Sequence, residues 1–171
     1  MEEKLTIKQV GIRYGIYLAL VSIIYTTIIQ MMGQGANRNL GYISIIFVIL
    51  ALVMAHRDYK KSNEFMDFGE GFKISLILIS ISTVVSAIFS YIYVKFIDNS
   101  MLEAMRQQTE ATLEKRGLSD AQIQTALEMQ AKLTTPEMIL VFGIVLGLIF
   151  GLIVALVVTA ITKKTRPEMP T

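Results

Sequence analysis

The sequence predicts an all-α integral membrane protein, a four-helix bundle with an extracytoplasmic helical hairpin between its third and fourth spans. Three observations predict it. Of the 171 residues, 53% are hydrophobic and the mean hydropathy is +0.55, more apolar material than a soluble core of this size requires. The excess is concentrated in residues 14–32, 40–55, 74–94 and 138–161, which contain no Asp, Glu, Lys, Arg or His. The basic residues lie mostly on one side of that pattern. Ten of the sixteen Lys and Arg fall in the N-terminal arm (Lys4, Lys8, Arg13), the link between the second and third blocks (Arg57, Lys60, Lys61, Lys73) and the tail (Lys163, Lys164, Arg166). By the positive-inside rule both termini are then cytoplasmic.

A hydrocarbon core about 30 Å thick takes about 20 helical residues. The first, third and fourth blocks, of 19, 21 and 24 residues, fit as helices. The second has 16, so it must draw on Asn37 and Asn39, let Arg38 reach outward, or thin the bilayer. A barrel strand is the wrong template, because "YISIIFVILALVMA" does not alternate. Residues 1–171 read as a single membrane domain.

Span one follows "MEEKLTIKQVGIRYG", which leads into an apolar stretch too long for a cleavable signal and without a small-x-small cleavage site, so the span is expected to be kept. Tyr14 and Tyr17 read as interfacial anchors. Gln30, near the other end, is expected to bond a neighbouring helix or a headgroup more readily than a substrate. "GQGANRN" turns the chain round.

The stretch "EFMDFGEGFK", residues 64–73, precedes span three. On a helix Phe65, Phe68 and Phe72 fall within about 60° of one another, opposite Asp67, Glu70 and Gly71. The expectation is a short amphipathic segment lying flat at the lipid boundary. Phe65, Phe68, Phe72 and Lys73 are its interfacial anchors, and glycines supply the bend into the span. His56, the only histidine, is separated from these carboxylates by "RDYKKSN", read as flexible, so no acid–base or metal constellation is expected there.

Span three places Ser75, Ser82, Ser86 and Ser90, with Thr83, on one side of the helix, which lets a second helix approach closely. Span four carries an unbroken small-xxx-small ladder, Gly143, Gly147, Gly151, Ala155 and Thr159. Two complementary small-residue faces in one chain favour internal pairing over pairing with a second copy, but the residues do not decide between them.

Between these spans the hairpin is expected over about 98–134. "MLEAMRQQTEATLEK" aligns Met101, Leu102, Met105, Thr109, Thr112 and Leu113 on one face, Gly117 and Leu118 read as a helix stop, and "SDAQ" as a capping box. A second helix aligns Ile123, Ala126, Leu127 and Gln130. Thr135, Pro136 and Glu137 supply a cap, a first-turn proline and an acid for span four. The stripe is thin and rich in Met and Thr, so the hairpin is expected to fold back on the bundle or the membrane, or to bind a partner.

Zero cysteines excludes disulfides and thiolate sites. No ionisable residue lies at mid-membrane, as an ion-coupled carrier would need, and no phosphate loop, HExxH or GxSxG occurs. No catalytic residue, cofactor or metal is expected, and the basic residues match topology instead of forming a nucleic-acid patch.

The order of parts resembles the domain-of-unknown-function 4199 family of small four-span bacterial membrane proteins. The resemblance rests on "HRDYKKSNEFMDFGEGFKIS", on "FIDNSMLEAMRQQTEATLEKRGLSDAQIQTALEMQAK" with its following Thr-Pro, and on "GLIVALVVTAITKK". It covers nearly the whole chain. It implies a multi-pass protein of the bacterial inner membrane with no assigned activity, and it carries over no catalytic or ligand residue. The expected function is a non-enzymatic accessory or scaffold subunit, contacting membrane lipid and either a second copy or another membrane protein. The alternatives are a small oligomeric transporter or channel, and a lipid-acting intramembrane enzyme using Glu70 or His56 as base.

Overall fold

The computed structural model describes residues 4–35 and 37–165, without the side chain of Arg38. The expectations for the Arg38 side chain and for Arg166 lie outside the described residues. Six helices follow in order: α1 Ile7–Met31, α2 Arg38–Asn63, α3 Phe68–Phe96, α4 Ser100–Lys115, α5 Asp120–Leu133 and α6 Pro136–Thr162. Among the described residues there is no strand, only an isolated antiparallel bridge between Met66 and Lys164. Helices α1, α2, α3 and α6 are long and apolar enough to cross a membrane. Their outward faces carry a belt of exposed Ile, Leu, Val and Phe, including Leu20, Ile24, Ile46, Leu50, Val85, Ile88, Leu146 and Ile153. A water-soluble monomer does not expose so large an apolar surface.

The helix starts are fixed by side chains. Thr6 accepts from the Gln9 N–H at 3.2 Å while Gln9 Oε1 accepts from the Thr6 N–H at 2.8 Å, a reciprocal box at the head of α1. Asn37 accepts from Asn39 N–H at the head of α2 (3.0 Å). Thr135 accepts from Met138 N–H at the head of α6, with Pro136 in the first turn. At the end of α4, Gly117 takes a φ of +74° and Leu118 N–H reaches back to Leu113 O (3.3 Å), the closing bond of a Schellman turn.

Two boundaries differ from the sequence reading. Helix α2 has 26 residues and does not stop after its 16 uncharged ones, so "RDYKKSN" is helical and not flexible. The second span gains its length at that end because its charges are partnered. Asp58 accepts from Arg13 (3.2 Å) and from the Tyr14 hydroxyl (2.6 Å), and Lys60 donates to Thr162 O (2.7 Å). Nor does the aromatic collar form a separate flat helix. Helix α3 runs unbroken from Phe68, and Phe65 precedes its cap, so the three phenylalanines do not share one helical face. Asp67 is the N-cap. Its carboxylate accepts from Glu70 N–H (2.7 Å) and the Glu70 carboxylate accepts from Asp67 N–H (3.0 Å). The collar's acids therefore hold the start of α3.

The bend is made by Glu64, not by a glycine, with φ +68° and ψ −41°. A side chain in that region carries strain of about 1–3 kcal/mol, and glycine removes it at a smaller cost in unfolded-chain entropy. Glu64→Gly is therefore expected to raise the thermal midpoint in detergent, by the equivalent of about 1 kcal/mol; a midpoint lowered by the substitution contradicts this.

The packing is not a ring of antiparallel neighbours. The closest pair, α1 and α3, runs parallel, with α6 on the other side of α3 and α2 laid against α1 and α6. The core gathers at the terminal end, where α1 and α3 begin and α2 and α6 finish, in Val10, Tyr14, Leu18, Leu52, Ala55, Met66, Ile74, Leu78, Ala155 and Val158. At this terminal end Leu5 N–H donates to Ser62 Oγ (2.9 Å) and Asn63 donates to Leu5 O (2.9 Å). Met66 and Lys164 exchange backbone bonds of 3.0 and 2.8 Å. The opposite end carries residues 33–35 and the α4–α5 pair.

Candidate functional site

Side chains able to do chemistry meet at the terminal end, where α2, α3 and α6 converge on His56. Its ring is fully buried. Nδ1 lies 2.7 Å from Thr162 Oγ1, and Nε2 lies 3.0 Å from Gly71 O and 2.9 Å from Ser75 Oγ. A carbonyl oxygen can only accept, so in the neutral ring the proton sits on Nε2 and Nδ1 accepts from the Thr162 hydroxyl. Ser75 also donates to Gly71 O (2.9 Å) and lies 3.3 Å from Thr159 Oγ1. The imidazole is thus a three-helix tie. The Glu70 carboxylate belongs to a different contact, accepting from the Tyr59 hydroxyl (3.2 Å). Among the described residues no three His, Asp or Glu side chains gather as a metal set.

The ladder of α6 faces α3 of the same chain. A Cβ built on Gly151 would stand 2.5 Å from Ile79 Cγ2, and one on Gly147 2.8 Å from Thr83 Cγ2; on Gly143 the nearest atom, Ala87 Cβ, is 3.8 Å away. The two helices therefore diverge away from the terminal end. Ala155 and Thr159 are fully buried. Of the small residues on α3, Ser75 joins the His56 tie and Ser82 donates to Ile79 O (3.1 Å). Ser90 faces a cavity with Ser86, whose Oγ is shut off from solvent with no hydrogen-bond partner.

The collar residues take separate places. Phe68 and Phe72 stack at 6.1 Å, with Phe72 against the core, while Phe65 lies under Lys164 Nζ at 5.1 Å. Lys73 is exposed.

One packing motif escaped the sequence reading. Gly11, Gly15 and Ala19 form a small-xxx-small run on α1. A Cβ on Gly11 would lie 2.8 Å from Ile77 Cβ and one on Gly15 3.0 Å from both Ile81 Cβ and Leu78 O. Its spacing is visible in "GIRYGIYLA", but its first residue, Gly11, precedes the uncharged block.

At the opposite end α4 and α5 pack through buried Ile123 and Leu127, and Gln130 donates to Thr109 Oγ1 (3.0 Å). Met101 leans on Gly35, 3.5 Å from where a Cβ on it would lie. On α5, Met129 and Leu133 remain 62% and 50% exposed. Lys95 and Glu137 pair at 2.7 Å, joining the end of α3 to the start of α6.

A family model described as protein of unknown function (DUF4199) matches residues 13–164. No curated protein and no solved structure gives a match.

Proposed function

The chain belongs to the DUF4199 family of proteins of unknown function, and on that premise we propose a four-span protein of the bacterial inner membrane acting as a non-enzymatic accessory or scaffold subunit. In this reading both termini are cytoplasmic and the α4–α5 hairpin stands outside. The clustering of Lys4, Lys8, Arg13, Lys60, Lys61, Lys163 and Lys164 toward the terminal end supports that orientation. The observation that carries the non-enzymatic reading is the engagement of both His56 nitrogens in helix–helix bonds. With the α6 ladder occupied by α3, the contact surface left is the hairpin, where Met129 and Leu133 offer an adaptable apolar face. Its partner is a second copy or another membrane protein, with lipid around the bundle; nucleic acid has no place in it.

A photo-crosslinking residue at Met129, in cells, tests this. The expected result is one discrete protein adduct, absent when the same residue replaces lipid-facing Ile149; a chain that stays monomeric from both positions contradicts the reading.

A further inference from the structure

We propose that the half of the bundle nearest the hairpin holds a binding site for a neutral single-chain lipid headed by a hydroxyl or ester. The packing leaves room for it. On α2 no described residue before Leu52 is buried, and on α6 none before Gly151, so these two helices pack tightly only in their terminal halves, while Gln30 of α1 and Ala87, Tyr93 and Val94 of α3 stay buried in the other half. Between α1, α2, α3 and α6 lies a cavity of about 330 Å³, walled by Ser22, Ser44, Ser82, Thr83, Ser86 and Ser90. A second, of about 190 Å³, continues it toward the hairpin and shares Ser44, Ser90 and Ile139 with the first. The larger one falls at the low end of small-molecule sites, which run from about 300 to 1,000 Å³.

Two polar groups in these walls lack partners. Gln30 is only 8% exposed and lines the second cavity, yet its side-chain amide bonds to no described residue. Ser86 Oγ, in the wall of the first, is also unpartnered, but it is closed off from the cavity and offers a ligand no bond. Native structures rarely leave an amide in an apolar wall without a hydrogen-bond partner. A ligand carrying both a donor or acceptor and an apolar body supplies that partner.

The lining also selects the class. Among the described residues, neither cavity wall contains an Asp, Glu, Lys, Arg or His. A charged headgroup would meet no counter-ion among the described residues, whereas a hydroxyl or ester meets Gln30, Thr26 and Ser44. The chain then runs along the serine wall toward Gly147 and Gly151. Entry is lateral, through a groove bordered by Tyr42, Ile45, Met105 and Phe150, which shares Ser44 and Val48 with the cavity.

The test uses the full chain in lipid nanodiscs with diazirine-bearing hexadecanol, and with the corresponding carboxylate and quaternary ammonium as charged comparators. The alcohol is expected to label peptides spanning 22–30, 44–48 and 82–90, and the charged probes are not. Losing the amide bond in Gln30→Leu is expected to lower labelling about fivefold, as is Ser44→Phe, which fills the junction; Ile16→Phe on the lipid face leaves it unchanged. Gln30→Leu is nearly isosteric and decides the matter if Ser44→Phe does not fold. Equal labelling of wild type and Gln30→Leu, labelling spread over lipid-facing residues of all four helices, or a carboxylate that labels as well as the alcohol overturns the proposal.

Discussion

Gly15→Leu is expected to separate α1 from α3 and to lower stability strongly. In a bilayer, helices gain little from burying apolar surface against one another, because lipid tails are equally apolar; close backbone approach and shape do the work. Gly15 makes a closer approach to the α3 backbone than Gly11 does. A Cβ there would already be 3.0 Å from the Leu78 carbonyl oxygen. A carbonyl oxygen of a neighbouring helix cannot rotate away as a side-chain tip can, so the helices must move apart. Overpacking of this kind costs about 1–3 kcal/mol, occasionally more, and the upper end applies here. Gly41→Leu is the control, since nothing lies within 4 Å of its added Cβ. Thermal midpoints of detergent-solubilised protein, followed by size-exclusion chromatography, check it. An unshifted midpoint for Gly15→Leu contradicts the packing.

The second large effect is expected at His56. Removing the imidazole in His56→Ala deletes bonds to Thr162, Gly71 and Ser75 at once and leaves a hole where α2, α3 and α6 meet. Ser75 and Thr162 keep alternative acceptors in the Gly71 and Val158 carbonyls, which limits the penalty. A loss of about 3 kcal/mol is expected, combining the cavity with the broken bonds. His56→Asn, which can still bond one side, should fall between wild type and alanine. If all three proteins melt together, His56 is not a tie, and an acid–base role for it would need to be reopened.

How much of this was legible in the sequence differs from element to element. The four long helices were, because a membrane requires about 20 residues without exposed charge and uncharged blocks are visible by inspection. The end of α2 was not. Asp58 and Lys60 look like loop residues until Arg13, Tyr14 and Thr162 from other helices are placed beside them. The Asp67-x-x-Glu70 box was readable by the same pattern as "SDAQ", yet the neighbouring phenylalanines drew the eye toward the lipid surface. Ladder spacing on α6 was plain, but which helix it faces is a question of tertiary position. The cavity lay beyond any pattern, since it exists only because α6 leaves α3 between Gly147 and Gly143.

The central claim is that α1, α2, α3 and α6 cross a bilayer, with the terminal end and the hairpin on opposite sides. The chain has no cysteine, so single exposed ones at Lys61 and Arg116 report their own side without background. With a membrane-impermeant maleimide on cells whose outer membrane has been removed, position 116 should react at once and position 61 only after the inner membrane is opened. Reaction of position 61 with 116 spared inverts the orientation, and immediate reaction of both contradicts the crossings themselves.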